Sequence, residues 1–513
     1  MPLPAFGASG KDGSLMKDHW VLHLLLTLCF LLAAAAYLRA AAPRENPLPS
    51  TPAAPGGPSG DDGNVRSFGA VGDGKTDDTA AIQRAVDESR AGRLEFPRGD
   101  FRITKTIELK LGARGPTSLS GQGGVGRVTM AGPGPAFRVI GNHTGSADPA
   151  SFKGGVLERE RMPVVQDLEI VGAHPEADGI EFFQVMQPTL AGVFIREVRH
   201  GVHLVTRNRN VLLTGCHIYN CRGVGVFFDR VNLHQAIISG CHISYCKGGG
   251  IKVAGSEIRN LQITGNDIEY NYDLEAKASA DIWIDVTSGT VREGTIVSNT
   301  IQAKPSPGGA NIRFTGSPAQ KDAGLWSITG NLISSQTVNV HLENCRGIVL
   351  SGNSIFSGHE RSLLFESCRH LVVAQQSLDR NPDYKGVITG GITLRDCDGV
   401  ILNALQLSGT EAGAAEAGGA IEVLNSREIS ITGCQIFEPK FRGVYVRDSR
   451  NTKISDCTIM ERDGPARMLA AVEIAGKSPG TVVQNNQLGQ GTQGGIVGAG
   501  EGVVNTGNQP AKR

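Results

Sequence analysis

The sequence predicts an all-β fold, a parallel β-helix of about 13 coils wound by one chain. Three observations carry that reading. A short pattern recurs from Leu168 to Asn486: two or three aliphatic residues, a small residue, then Gly-Asn-x-Ile or Gly-Cys-x-Ile, as in VLLTGCHI, LQITGNDI and IVLSGNSI. Its step averages about 26 residues, which marks a solenoid whose repeats bury their apolar faces only on one another. Within a repeat the apolar residues alternate with period two and leave no room for a helix pair, so the repeat is made of strands.

Composition narrows the function classes. Lys plus Arg and Asp plus Glu each number 50, so the formal charge is zero, against a nucleic-acid partner that would need a basic excess. Charged residues are 19% and hydrophobic residues 40%, enough for an ordered core. Aromatics are only 5%, so that core is aliphatic. The 68 glycines follow no Gly-X-Y period and imply tight turns instead.

The chain divides in order. Residues 1–42 hold an apolar run, Val21 to Leu38, broken only by His23 and Thr27 and preceded by Lys11 and Lys17. It reads as one hydrophobic helix, either a signal peptide starting at Met16 and cut after Ala36 or a membrane anchor. The expected location is therefore secreted or membrane-anchored, with the membrane as a partner if the helix is not cleaved. Residues 43–63, with six prolines, form a spacer. Residues 64–160 make the N-terminal cap and first coils, residues 161–500 the repeats, and residues 501–513 a tail.

In the cap, Thr76 to Thr79 look like a helix start, with Asp77 and Asp78 suited to the helix dipole. A short amphipathic helix over Ala80–Arg90 and a strand at Arg93–Phe96 follow. Such a cap covers the open first coil, which would otherwise aggregate. In the repeats the residue before x-Ile, among them Cys216, Cys241, Asn266, Asn299, Asn331 and Asn353, points inward. Stacked asparagines would hydrogen-bond along the axis and satisfy the turn backbone, and cysteine fits the slot as a small apolar side chain. Cys216-x4-Cys221 and Cys241-x4-Cys246, with His217 and His242, have zinc-like spacing. The offset of 25 is the coil step, however, so buried free thiols are expected.

The segment VRSFGAVGDGKTDDTAAIQRAVDESRAGRLEFPRGDFRI, Val65 to Ile103, resembles the opening motif of the pectate-lyase-like superfamily of right-handed, single-stranded parallel β-helices. That group includes polygalacturonases, rhamnogalacturonases, polysaccharide lyases, mannuronan C5-epimerases and phage tailspikes. The resemblance implies the fold, with the motif aspartates in a capping role, and does not fix the reaction.

Candidate chemistry lies on the second strand of each coil, Gly-[Ile/Val]-x-[apolar], where x points outward. Glu181, His203, Lys252, Trp283, Arg313 and His341 occupy x, and Asp229, Asp285 and Glu343 lie two residues on, facing the same way. Such a stripe of acids, bases and a tryptophan suits a sugar-binding groove. The plainer alternative is a solvated sheet face. Resemblance to polygalacturonases adds Asp178 in a degraded Asn-Thr-Asp-Gly motif, His200 in Arg-His-Gly and Lys252 in Gly-Ile-Lys, while the Asp-Asp coil between them is missing. The candidate catalytic residues are thus Asp178, Glu181, His200, His203, Asp229, Lys252 and Asp285, and the candidate substrate-binding residues Trp283, Arg313, His341 and Glu343. Asp229 and Asp285, two coils apart, would sit about 9.6 Å from each other, at the upper edge of the inverting-glycosidase separation of roughly 6.5–9.5 Å. A lyase would instead use Lys252 and Arg313 to neutralise a uronate and His203 or His200 as base. No cofactor is expected. Ca2+ held by Asp229 and Asp285 is possible, but no dense acidic cluster demands it. The function expected is cleavage of an acidic polysaccharide, by hydrolysis or β-elimination. The alternatives are a non-catalytic glycan-binding or structural rod and, less favoured because no Asp-Pro-His run is present, a C5-epimerase.

Overall fold

The computed structural model describes residues 63–512 apart from 146–147, 320–322, 464–465, 499 and 501. The expected hydrophobic helix in 1–42 and the spacer up to residue 62 lie outside the described residues. Among those described, no helix is long and apolar enough to cross a membrane.

Each coil is built from the same local choices. The aliphatic run ends in a left-handed residue, Gly265 at φ 65° in one coil and Ser298 at φ 56° in the next. That bend turns the chain and aims the following residue into the interior. A three-residue strand such as Asp267–Glu269 then forms the first face, with Ile268 pointing in and fully buried. A second-face strand such as Gly249–Ala254 and a third-face strand such as Glu257–Thr264 complete the coil. The named strands pair in parallel, and along the first face His217 lies against His242 and His242 against Asp267. The first face is one 17-stranded sheet. The second and third faces form one 29-stranded sheet, because strands such as Val202–Thr214 and Val224–Ser239 run round the corner unbroken.

The coil count is therefore 17, where the repeats predict about 13. At about 4.8 Å per coil the stack is about 77 Å long. The additional coils lack the sequence signature. In the N-terminal ones Gly99 and Gly126 occupy the inward turn position aligned with Leu168, and Phe101 and Val128 replace the isoleucine. In the last one Pro510 stands against Leu488.

The inward turn positions form the ladder the repeats imply. The side-chain oxygen of Asn299 accepts the N–H of Asn266 at 3.0 Å and its amide at 2.9 Å, while its own amide donates to Asn331 Oδ1 at 2.9 Å and to Ile263 O at 3.0 Å. The nine described cysteines are free and buried. Cys216 and Cys241 continue this ladder inside the coil, whereas His217 and His242 stack outside it at 5.1 Å, so thiols and imidazoles do not converge. Burial pushes the Cys368 thiol well above its usual range.

At the N-terminus the helix Thr79–Glu88 buries Ile82 and Val86 over the first coils. The motif aspartates are taken up by the cap. Asp78, fully buried, accepts the N–H groups of Val71 and Gly72 at 2.6 and 3.0 Å. Asp73 accepts those of Lys75 and Thr76, and Asp77 accepts the hydroxyl of Thr104.

Candidate functional site

Alternation along the second-face strands places every second residue outside, and parallel register stacks those residues into rows. The first row runs Arg138, Glu181, His203, Phe227, Lys252, Trp283, Arg313, His341 in successive coils. The second, two residues on, runs Val205, Asp229, Ala254, Asp285, Thr315, Glu343, Glu366.

The candidates fall into two groups on this face. At the N-terminal end, His203 stands between two carboxylates: Nδ1 is 3.7 Å from Glu181 Oε2 and Nε2 is 3.3 Å from Asp229 Oδ2. Its ring stacks on Phe227 at 5.4 Å. Glu181 also accepts from Arg138 Nε at 2.6 Å, and Asp229 from Arg230 at 3.0 Å. Asp229 thus already has imidazole and guanidinium partners, a set that does not suit calcium.

Asp178 and His200 belong to this group in space but are used by the scaffold. Asp178 is 2% exposed, holds Arg199 in a two-pronged pair at 2.9 and 2.6 Å, and accepts the His200 N–H at 3.0 Å. It anchors the corner and does not face the stripe. His200 Nδ1 accepts the N–H of Val224 at 3.1 Å. Burial, opposed by the field of Asp178, pulls the His200 pKa down to about 4, so the ring is neutral.

The second group begins at Lys252. Its ammonium lies 4.2 Å from the centroid of Trp283, and the Arg313 guanidinium lies 5.6 Å from the same ring. Trp283 is therefore a spacer between two cations, attracted by its ring face, and Trp283 Nε1 donates to Thr315 at 3.3 Å. Burial lowers the Lys252 pKa while Asp285 opposes that shift. Arg313 is 9% exposed, donating to the carbonyl of Gly308, which lies between the first and second faces in one of the two longest coils. A relay continues from it: His341 Nδ1 is 2.9 Å from Arg313 Nη1, His341 Nε2 is 2.9 Å from Glu366, and Arg395 pairs with Glu366 at 2.6 Å. The bond to His341 holds Glu366 below the usual carboxylate range. Glu343 stands in the second row, two coils beyond Asp285.

Between the groups lies a gap. Asp229 and Asp285 face the same way with only the methyl group of Ala254 between them in the row, and Lys252 stands two residues before Ala254 on the same strand. Asp285 accepts from the Thr287 hydroxyl at 2.8 Å. The small Ala254 side chain thus has a carboxylate to either side in its row and a cation two residues before it.

Sequence reasoning passed over Arg138 and Glu366 as site residues. Arg138 sits in Phe-Arg-Val, the same apolar-x-apolar triplet, in a coil without the ladder motif.

Comparison with known proteins agrees with the fold. A family model described as "right handed beta helix region" matches residues 154–301 and 381–509, over half of the chain. One described as "rhamnogalacturonase A/epimerase, pectate lyase-like" matches residues 63–133. The mannuronan C5-epimerase AlgE3 of Azotobacter vinelandii is 47% identical over 55 residues, 10% of this chain and 3% of the relative. Alginate lyase 7 of the same organism is 47% identical over 53 residues, 10% of this chain and 6% of that one. The chain therefore spans only a small fraction of the length of these relatives. Among solved structures, bacteriophage phi29 gene product 12 in its pre-mature form aligns with a TM-score of 0.53 at 16% identity, covering 83% of this chain and 56% of the other.

Proposed function

The chain belongs to the pectate-lyase-like family of right-handed parallel β-helices, and we propose that its second face binds and cleaves an acidic polysaccharide. The observation that carries the proposal is the gap over Ala254, flanked by Asp229 and Asp285 and edged by Lys252. The short relatives named for mannuronan and alginate support the polymer class. The apolar run Val21–Leu38 supports an exported or tethered protein, where such a polymer would be met.

Lys252, at the edge of the gap, holds a sugar carboxylate, and Arg313, on the other side of Trp283, takes that of a neighbouring sugar. The scissile bond then lies above Ala254. Asp229, paired with Arg230 and His203, is the carboxylate that takes a proton from water as the water oxygen attacks the anomeric carbon. Asp285 gives its proton to the departing glycosidic oxygen, and the configuration inverts. A binding-only role is the second reading. It is favoured by the N-terminal group, where Glu181 is paired with Arg138 and Asp229 with Arg230 and His203 Nε2.

The test is turnover of a panel of uronate and sulfated polysaccharides. New reducing ends without ultraviolet absorbance, lost in Asp229→Asn and in Asp285→Asn, are expected. An absorbing unsaturated uronate product would replace hydrolysis by β-elimination. Binding without any product would leave only the second reading.

A further inference from the structure

A second polar groove lies along the edge of that face, on the C-terminal side of the Ala254 gap. It follows the corner between the second and third faces across five successive coils in the C-terminal half, with a volume of about 590 Å³. Its construction repeats. Each corner bends at a left-handed residue, Ser367, Asp396, Asn425, Asp448 and Gly476 in turn. The next residue points inward, and Cys368, Cys397, Ser426 and Ser449 form the floor. The residue after that opens a third-face strand, and these positions stack in register as Arg369, Asp398, Arg427 and Arg450.

The charges in this groove are unequally satisfied. Each carboxylate already has a partner: Asp398 pairs with Arg427, Asp396 accepts from the Asn425 amide, and Asp448 accepts the N–H of Lys477 at 3.1 Å. Arg369, Arg450 and Lys477 line the groove without an ion pair among the described residues, and Arg369 Nε is buried with no hydrogen-bond partner. Unspent donors at the rim of an open groove call for an anion from outside.

We propose that this groove is a second binding site, taking a segment of acidic glycan laid along the rod axis and anchoring the polymer away from the cleavage gap. The coil rise of about 4.8 Å is comparable to the advance of one pyranose along an extended chain, so carboxylates three or four sugars apart meet Arg369 at one end and Arg450 and Lys477 at the other. Four coil steps give a path of about 19 Å, room for a short oligosaccharide. The choice of an acidic glycan rests on the function proposed above; the unpaired cations do not.

The experiment is calorimetric titration of the full chain with mannuronate and galacturonate oligosaccharides from dimer to octamer, with neutral cello-oligosaccharides beside them. Arg369→Gln/Arg450→Gln is compared with Lys105→Gln, which removes an exposed cation of the N-terminal cap. The expected result is that the groove variant loses about tenfold or more in affinity for the octamer, that Lys105→Gln binds it like the wild type, and that the affinity of these two falls more steeply with salt than that of the groove variant. If the double variant melts early, Arg450→Gln/Lys477→Gln carries the same expectation. Unchanged octamer affinity in a folded groove variant, equal loss for the neutral series, or no binding of any uronate oligomer overturns the proposal. Anchoring and cleavage fail separately: groove-dependent binding without product removes the cleavage reading alone, and product formation indifferent to the groove variant in both binding and rate removes the anchor alone.

Discussion

Replacing Asn299 by alanine tests the ladder on which every row of the stripe depends. Asn299 is 2% exposed and makes four side-chain hydrogen bonds, two to Asn266, one to Asn331 and one to Ile263 O. Asn266 Nδ2 keeps Ile238 O, and Asn331 Oδ1 keeps the N–H of residue 299, so neither is orphaned. The Asn266 N–H and the Ile263 carbonyl lose their ladder bonds and have no water to turn to. At roughly 1–3 kcal/mol per buried unsatisfied group, Asn299→Ala should destabilise the stack by about 4 kcal/mol. Asn299→Cys should lose about half as much, because a thiol can accept in this slot: the Cys434 N–H donates to Cys457 Sγ at 3.4 Å. Urea unfolding followed by circular dichroism measures the difference, and hydrogen exchange localises it, with the Asn266 amide exchanging far faster in the alanine variant. An alanine variant within 1 kcal/mol of wild type, or a cysteine variant as unstable as alanine, would refute the reasoning.

Three further outcomes follow from the same geometry. A Cβ on Gly294 would meet the buried Trp326 ring at 2.4 Å, so Gly294→Ala should destabilise by about 2 kcal/mol, read as a lower urea midpoint; no shift would mean that Trp326 moves freely. His200, with its pKa drawn down to about 4, binds its proton more weakly folded than unfolded, so its contribution is fully present above about pH 6.5 and is lost as pH falls toward 4. The wild type should therefore lose about 3 kcal/mol more stability than His200→Asn between pH 7 and pH 4, and parallel pH profiles would contradict this. Trp283 lies between Lys252 and Arg313 on the open face while Trp326 is buried, so uronate oligosaccharides should change the fluorescence of the wild type and not of Trp283→Phe; a response kept in that variant would place the ligand elsewhere.

The sequence shows the stacking because Gly-Asn-x-Ile and Gly-Cys-x-Ile repeat a single backbone event, a left-handed bend followed by an inward residue. Where Gly99 and Gly126 replace the ladder residue, that marker is gone, and those coils become visible only through pairing. The rows of the stripe are legible for a related reason. Period two fixes which residues face out, and register then stacks Glu181, His203, Lys252, Trp283 and Arg313 without further information. Spacing says nothing about how side chains pair within and between rows. Asp178 is withdrawn from the face by Arg199, which arrives from the next coil, and Trp283 is closed in by cations from both neighbouring coils. The C-terminal groove was hidden because its walls are corner residues and the first residues of third-face strands, ahead of the period-two pattern.

The most direct measurement is the rate at which the full-length protein releases new reducing ends from polyuronate, set beside that of Asp285→Asn at matched thermal stability. The predicted result is measurable turnover in the wild type and a fall of about a hundredfold or more without the acid on one side of the Ala254 gap. Turnover that survives the substitution, or wild-type protein inert on every acidic glycan offered, would contradict a cleaving role for that gap.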